Sequence, residues 1–190
     1  EENIALCKEL GLDFIELNMN LPCFQIENVD VEKYKLLAKE NNIFYTFHLP
    51  EELNPADFNP KVKRAYINTV VEAIELAKLL DIPILNMHMI LGVYFTLPNK
   101  KVYLFDEYKE DYIQNISDFR EQVDDQLKES DITICIENCG IYDKAFICDA
   151  VQELLKSKYF ALTWDIGHDF SSGNKDYSYI MTNKVRVRHM

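Results

Sequence analysis

Short apolar runs alternate along this chain with longer amphipathic stretches, and that alternation predicts strands and helices in turn. A helix over ENIALCKELG, closed by Gly11, precedes the strand LDFIELN. A helix over VDVEKYKLLAKENN, with Asp30 as its cap, precedes IFYTFH. The long helix KVKRAYINTVVEAIELAKLLD leads into IPILNMH, the helix YIQNISDFREQVDDQLKES into ITICIEN, and the helix KAFICDAVQELLKS into FALTWDIGH. VRVRHM is the last predicted strand. The segment GVYFTLPNKKVYLF, with its Pro-Asn turn, predicts a hairpin. Segments this long inside a compact domain often serve as lids. Here Tyr94, Phe95 and Tyr103 either shield a site or simply pack.

Strands in strict alternation with helices imply a parallel sheet. Two architectures compete, a doubly wound sheet and a (β/α)8 TIM barrel. Within the strands, bulky and small residues segregate by parity. Ile132, Ile134 and Ile136 oppose Thr133, Cys135 and Glu137, while Phe160, Leu162 and Trp164 oppose Ala161, Thr163 and Asp165. A sheet covered on both faces shows less asymmetry. A barrel with a narrow interior shows this much, which favours the barrel. About 250 residues is usual for it, and the chain has 190. The expectation is therefore one α/β domain over 1–190, an incomplete TIM barrel with strands two to seven present and the first and eighth missing. A naturally smaller open α/β protein is the alternative.

The polar residues fall where the strands end. His48, His88, Glu137, Asp165, His168 and His189 all sit at or just past the end of an apolar run, and parallel strands end on one side of the sheet. Six nitrogen and oxygen ligands converging there point to a metal site. Glu137 faces inward, where burial demands a metal or a cationic partner, and no basic residue occupies a neighbouring inward position. Asp165 ends its strand, Gly167 permits a sharp turn and His168 returns to the rim; alternatively, Asp165 caps the next helix. His189 shares a face with Val185 and Val187. Glu137, Asp165 and His189 with open positions suit one divalent ion, Mn²⁺, Zn²⁺, Co²⁺ or Mg²⁺. His48, His88 (sharing its face with Asn86), His168, Glu16 and Asn18 are candidates for substrate contact, and Cys139 for lining the site.

Composition narrows the partners. A formal charge of −12 argues against a non-specific nucleic-acid surface without excluding a locally basic cleft. Five cysteines, with no CxxC pair, fit a reducing compartment, so the expected location is cytoplasmic. No stretch is apolar enough for a membrane span. An oligomer is compatible with everything above.

These residues resemble the xylose isomerase-like TIM-barrel superfamily, which includes sugar and sugar-phosphate isomerases and epimerases and the endonuclease IV type of apurinic-site nuclease (AP endonuclease family 2). The resemblance lies in FHLP at 47–50, MHMILG at 87–92, IEN at 136–138, DIGH at 165–168 and VRVRHM at the end. In the epimerase branch it implies that Glu137 binds the metal and transfers a proton, that Asp165 and His189 are further ligands, and that His168 contacts substrate oxygen. A fourth ligand on an eighth strand has no counterpart. The implied substrate is a small sugar or sugar phosphate. In the nuclease branch His48 and His88 would also bind metal, completing a site for three Zn²⁺, but His88-Met89-Ile90-Leu91-Gly92 departs from that branch's HPG-like turn. A non-enzymatic alternative is a barrel kept as a sugar-sensing or scaffold module.

Overall fold

A computed structural model describes residues 2–190. Six parallel strands form its sheet: β1 (Phe14–Asn18), β2 (Phe44–His48), β3 (Ile84–His88), β6 (Thr133–Glu137), β7 (Phe160–Thr163) and β8 (Val187–His189), in the spatial order β1-β2-β3-β6-β7-β8. Between β3 and β6 lies an antiparallel hairpin of β4 (Tyr94–Thr96) and β5 (Lys101–Tyr103). Each strand of the arc is reached through helix, as in a (β/α)8 barrel, and the arc is an incomplete TIM barrel.

Local chemistry sets the helix limits. Helix α1 covers Glu2–Glu9. Asp30 accepts a hydrogen bond from the Lys33 N–H at 3.0 Å and starts α2 (Val31–Asn41). Asn59 accepts from the Lys61 N–H at 3.1 Å and, with Pro60, starts α3 (Pro60–Leu80). α4 (Leu104–Glu107) and α5 (Lys109–Leu127) follow the hairpin, and α6 (Ala145–Leu154) precedes β7. Among the described residues no helix is long and apolar enough to cross a membrane.

The segregation by parity becomes the division between core and interior. Phe47, Leu85, Met87, Ile134, Ile136, Phe160 and Leu162 face outward and are fully buried in one apolar cluster with Val70, Ile74 and Ala77 of α3, Phe119 and Val123 of α5, and Ile147 and Val151 of α6. The opposite parity carries the polar and small residues into the arc's concave interior.

Two expectations need correction. The last strand begins at Val187, because Lys184–Arg186 forms a 3-10 turn; Val185 is 73% exposed and shares no inward face with His189. The strand predicted over FALTWDIGH stops at Thr163, and two short helices that apolar periodicity does not reveal follow it, α7 (Ile166–Ser171) and α8 (Tyr177–Thr182).

Phe119 anchors the outer layer, its ring meeting Phe160 edge-on at 6.0 Å. Phe119→Ala is expected to cost about 3–5 kcal/mol of stability, read as a lower urea midpoint at unchanged slope.

Candidate metal centre

Register brings the strand-end residues level. His88 lies beside Glu137, Glu137 beside Thr163, and Thr163 beside His189. His48, His88, Glu137, Asp165, His168 and His189 all line one cavity of about 460 Å³, together with Glu16.

Glu137 is the hub. It is buried, and its oxygens lie 3.3 Å from His88 Nε2, 3.2 Å from His168 Nδ1 and 3.7 Å from His48 Nε2. Asn86 donates its amide N–H to Glu137 Oε2. That amide is oriented in turn by Thr163, whose hydroxyl donates to Asn86 Oδ1 at 2.6 Å. Burial by itself would push the Glu137 carboxyl up, but His88, Asn86 and His48 outweigh it and hold the group below its ordinary value. Burial would likewise pull the His88 imidazole down, yet Glu137 beside it raises it above its ordinary value.

The imidazoles are prepared for a cation. His48 Nδ1 sits 2.7 Å from the Leu49 carbonyl, which can only accept, so that nitrogen carries the proton and Nε2 faces Glu137. His88 Nε2 is buried and, although it lies 3.3 Å from Glu137 Oε1, satisfies no hydrogen bond among the described residues. A buried ring nitrogen without a partner, a second imidazole with a free nitrogen and an ionised carboxylate make a donor set for a divalent ion. Ligand atoms of His48, His88 and Glu137 lie within 4.8 Å of one another, as do those of Glu137, Asp165 and His168.

Asp165 takes the capping role and remains at the cavity. It caps α7, Oδ1 accepting from the His168 N–H at 2.6 Å, and still lines the cavity. Asn138 holds it there through two backbone contacts: its Oδ1 accepts from the Asp165 N–H at 2.7 Å and its Nδ2 donates to the Asp165 carbonyl at 2.9 Å. The Asn138 carbonyl lies 3.1 Å from His168 Nδ1, so the protonated nitrogen of that ring points inward to acceptors while the side chain stays 42% exposed. The loop after β6 is pinned by Asp176, fully buried, which accepts from the Gly140 and Tyr142 N–H groups at 2.6 and 2.8 Å.

His189 stands apart from both donor groups. Its Nε2 lies 3.5 Å from Glu16 Oε2, and its ring is 5.4 Å from that of Phe14. Asn18 bonds locally to Asn20 and is not among the residues lining the cavity. Cys139 lines an adjoining chamber, as do Val93 and Leu104 at the hairpin's base, whereas Tyr94, Phe95 and Tyr103 line neither. Sequence reasoning missed the roles of Thr163, Asn138 and Asp176; only Asn138, directly after Glu137, carried a visible signal.

The family description "Xylose isomerase-like TIM barrel" matches residues 4–190. No curated protein matches the chain in sequence. Among solved structures, a D-tagatose 3-epimerase-like protein is similar at a TM-score of 0.72 and 20% identity, covering 97% of this chain and 68% of that one. The 3-keto-D-glucoside 4-epimerase of E. coli is similar at 0.74 and 15%, covering 99% and 71%. The IOLI protein with a bound zinc atom is similar at 0.73 and 13%, covering 98% and 64%. At these identities the likeness is one of fold.

The raised His88 value contributes stability that is full below 6.5 and fades as pH climbs through the raised value; the lowered Glu137 value contributes stability that is full above 4.5 and fades as pH falls through the lowered one. In metal-free protein the Tm difference between wild type and Glu137→Gln is therefore expected to be widest between pH 4.5 and 6.5. A difference that ignores pH would refute the pairing. Thr163→Val leaves Asn86 Oδ1 without its donor and is expected to cost about 1–3 kcal/mol, with Thr163→Ser restoring most of it in the same denaturation series.

Proposed function

The chain belongs to the xylose isomerase-like TIM-barrel family, and from that premise we propose that it is a divalent-metal-dependent isomerase or epimerase of a small sugar. One observation carries the reading: Glu137, buried and held ionised, sits at the strand ends among three imidazoles with one of its oxygens tied down by Asn86.

Glu137 is the group that removes or returns the proton on the carbon beside the sugar carbonyl. The Thr163–Asn86 chain fixes the carboxylate's rotation, so Oε1 stays towards His88 and His168. His168, its Nδ1 committed to inward acceptors and its ring part-exposed, offers Nε2 to a substrate oxygen. His48, His88 and Glu16 are assigned to substrate contact along the cavity walls. Glu137 and Asp165 are assigned as metal ligands, with His189 the third by resemblance; His48 and His88 would serve as further metal donors only in the nuclease reading. A divalent ion held there would supply positive charge against the negative charge that develops on the carbonyl oxygen.

A second reading, a zinc-dependent phosphodiesterase acting on abasic DNA, draws support from the two donor groups that share Glu137. Elemental analysis separates the two: about one ion per chain fits the isomerase, three zincs the nuclease. Glu137→Gln is expected to reduce ketose interconversion by about 10²–10⁴-fold. Undiminished turnover in that variant would defeat the assignment.

A further inference from the structure

A second chamber opens beside the one that holds Glu137. Its volume is about 610 Å³ against about 460 Å³, and His88 and Glu51 line both. Each volume falls within the range of about 300–1,000 Å³ that serves an organic ligand. A single hexose in the first chamber therefore leaves the second to another part of the molecule.

Packing fixes the apolar wall of this chamber. Phe105 is buried and stacks on Tyr112 with centroids 4.1 Å apart and planes 11° apart. The Phe105 ring also lies against the backbone of Gly92, where a Cβ would come within 2.5 Å of it; with φ at +66°, the position is one for glycine. Phe58 meets Phe105 edge-on at 5.3 Å and stays 38% exposed, and Met89, Ile90 and Leu91 continue the wall.

The remaining lining is acidic. Glu51, Glu52 and Asp57 face this chamber, Glu16, Glu137 and Asp165 face the first, and among the described residues no lysine or arginine lines either. Asp57 is held in place, accepting from the Asn54 side chain at 3.1 Å and the Asn59 N–H at 2.7 Å. A cation bound at Glu137 would answer charge in the first chamber and leave Glu52 and Asp57 to repel an anion in the second.

We propose that the second chamber is an extension subsite, and that the substrate is an uncharged sugar carrying an apolar substituent rather than a sugar phosphate. This deepens the sugar-isomerase reading and rests on it. The hydroxyls and reacting carbons occupy the first chamber, and the substituent lies against Phe58 and the Met89–Leu91 segment.

Three probes that differ only at C6 test it: D-fructose, 6-O-benzyl-D-fructose and D-fructose 6-phosphate, each titrated calorimetrically into Mn²⁺-saturated protein. The benzyl compound is expected to bind about tenfold more tightly than fructose, and the phosphate about tenfold more weakly. Phe58→Ala should bring the benzyl-to-fructose affinity ratio close to one. Combining Glu51→Gln with Glu52→Gln should raise the phosphate's affinity relative to fructose. Fructose binding with no gain from the benzyl group, or with the phosphate preferred, overturns the subsite and leaves the sugar-isomerase reading standing. Binding of none of the three overturns both.

Discussion

A carboxylate withdrawn from water has to be answered by its neighbours, and the interior of this protein is organised around answering Glu137. Desolvation opposes its charge. The amide of Asn86 and the imidazoles of His88, His168 and His48 supply the compensation, and they come from two strands and a helix rather than from one segment. Bringing them together requires parallel strands in a fixed register. The polar cluster and the fold therefore specify each other: a one-residue slip of β6 would turn Glu137 into the outer apolar layer and bring Ile134 and Ile136 into the polar interior.

Strand parity is why so much of this could be read in advance. A period of two assigns each residue a face without any knowledge of the neighbouring strand, so the inward set that includes His48, His88, Glu137 and Asp165 was visible in the amino-acid order. The wider connections were not. The chain from Thr163 through Asn86 to Glu137 crosses β7, β3 and β6, and no single segment holds its pattern. Asn138 works through the backbone of Asp165, 27 residues away, and a short polar side chain in a loop announces no such partner. The helices α7 and α8 are six residues each, too short for apolar periodicity to register. Val185 misled for a related reason: alternation in VRVRHM reads as strand, but Lys184–Arg186 turns before pairing begins.

Rigidity and openness are distributed unevenly around the site. Glu137, Asp165 and the loop from Gly140 to Tyr142 are pinned by Asn86, Asn138 and Asp176, so the side that holds Glu137 has few alternative geometries. The wall built from the β2–α3 loop and the segment after β3 is broader, more apolar and more exposed. Under the proposed function such a division would keep chemistry precise at Glu137 and leave recognition to the part of the surface most tolerant of substitution.

Cys135 shows how far that organisation reaches into the interior. It lies beside Asn86 in the register, on the strand that the Asn86–Thr163 hydrogen bond crosses, and it is fully buried. The thiol is small enough for the amide to pass above it. A leucine or phenylalanine at 135 would fill that passage and part Asn86 from Thr163 without touching a single charged group. The hydrogen bond thus sets a steric limit at 135 near the volumes of alanine, serine and cysteine, imposed by an electrostatic arrangement rather than by apolar packing.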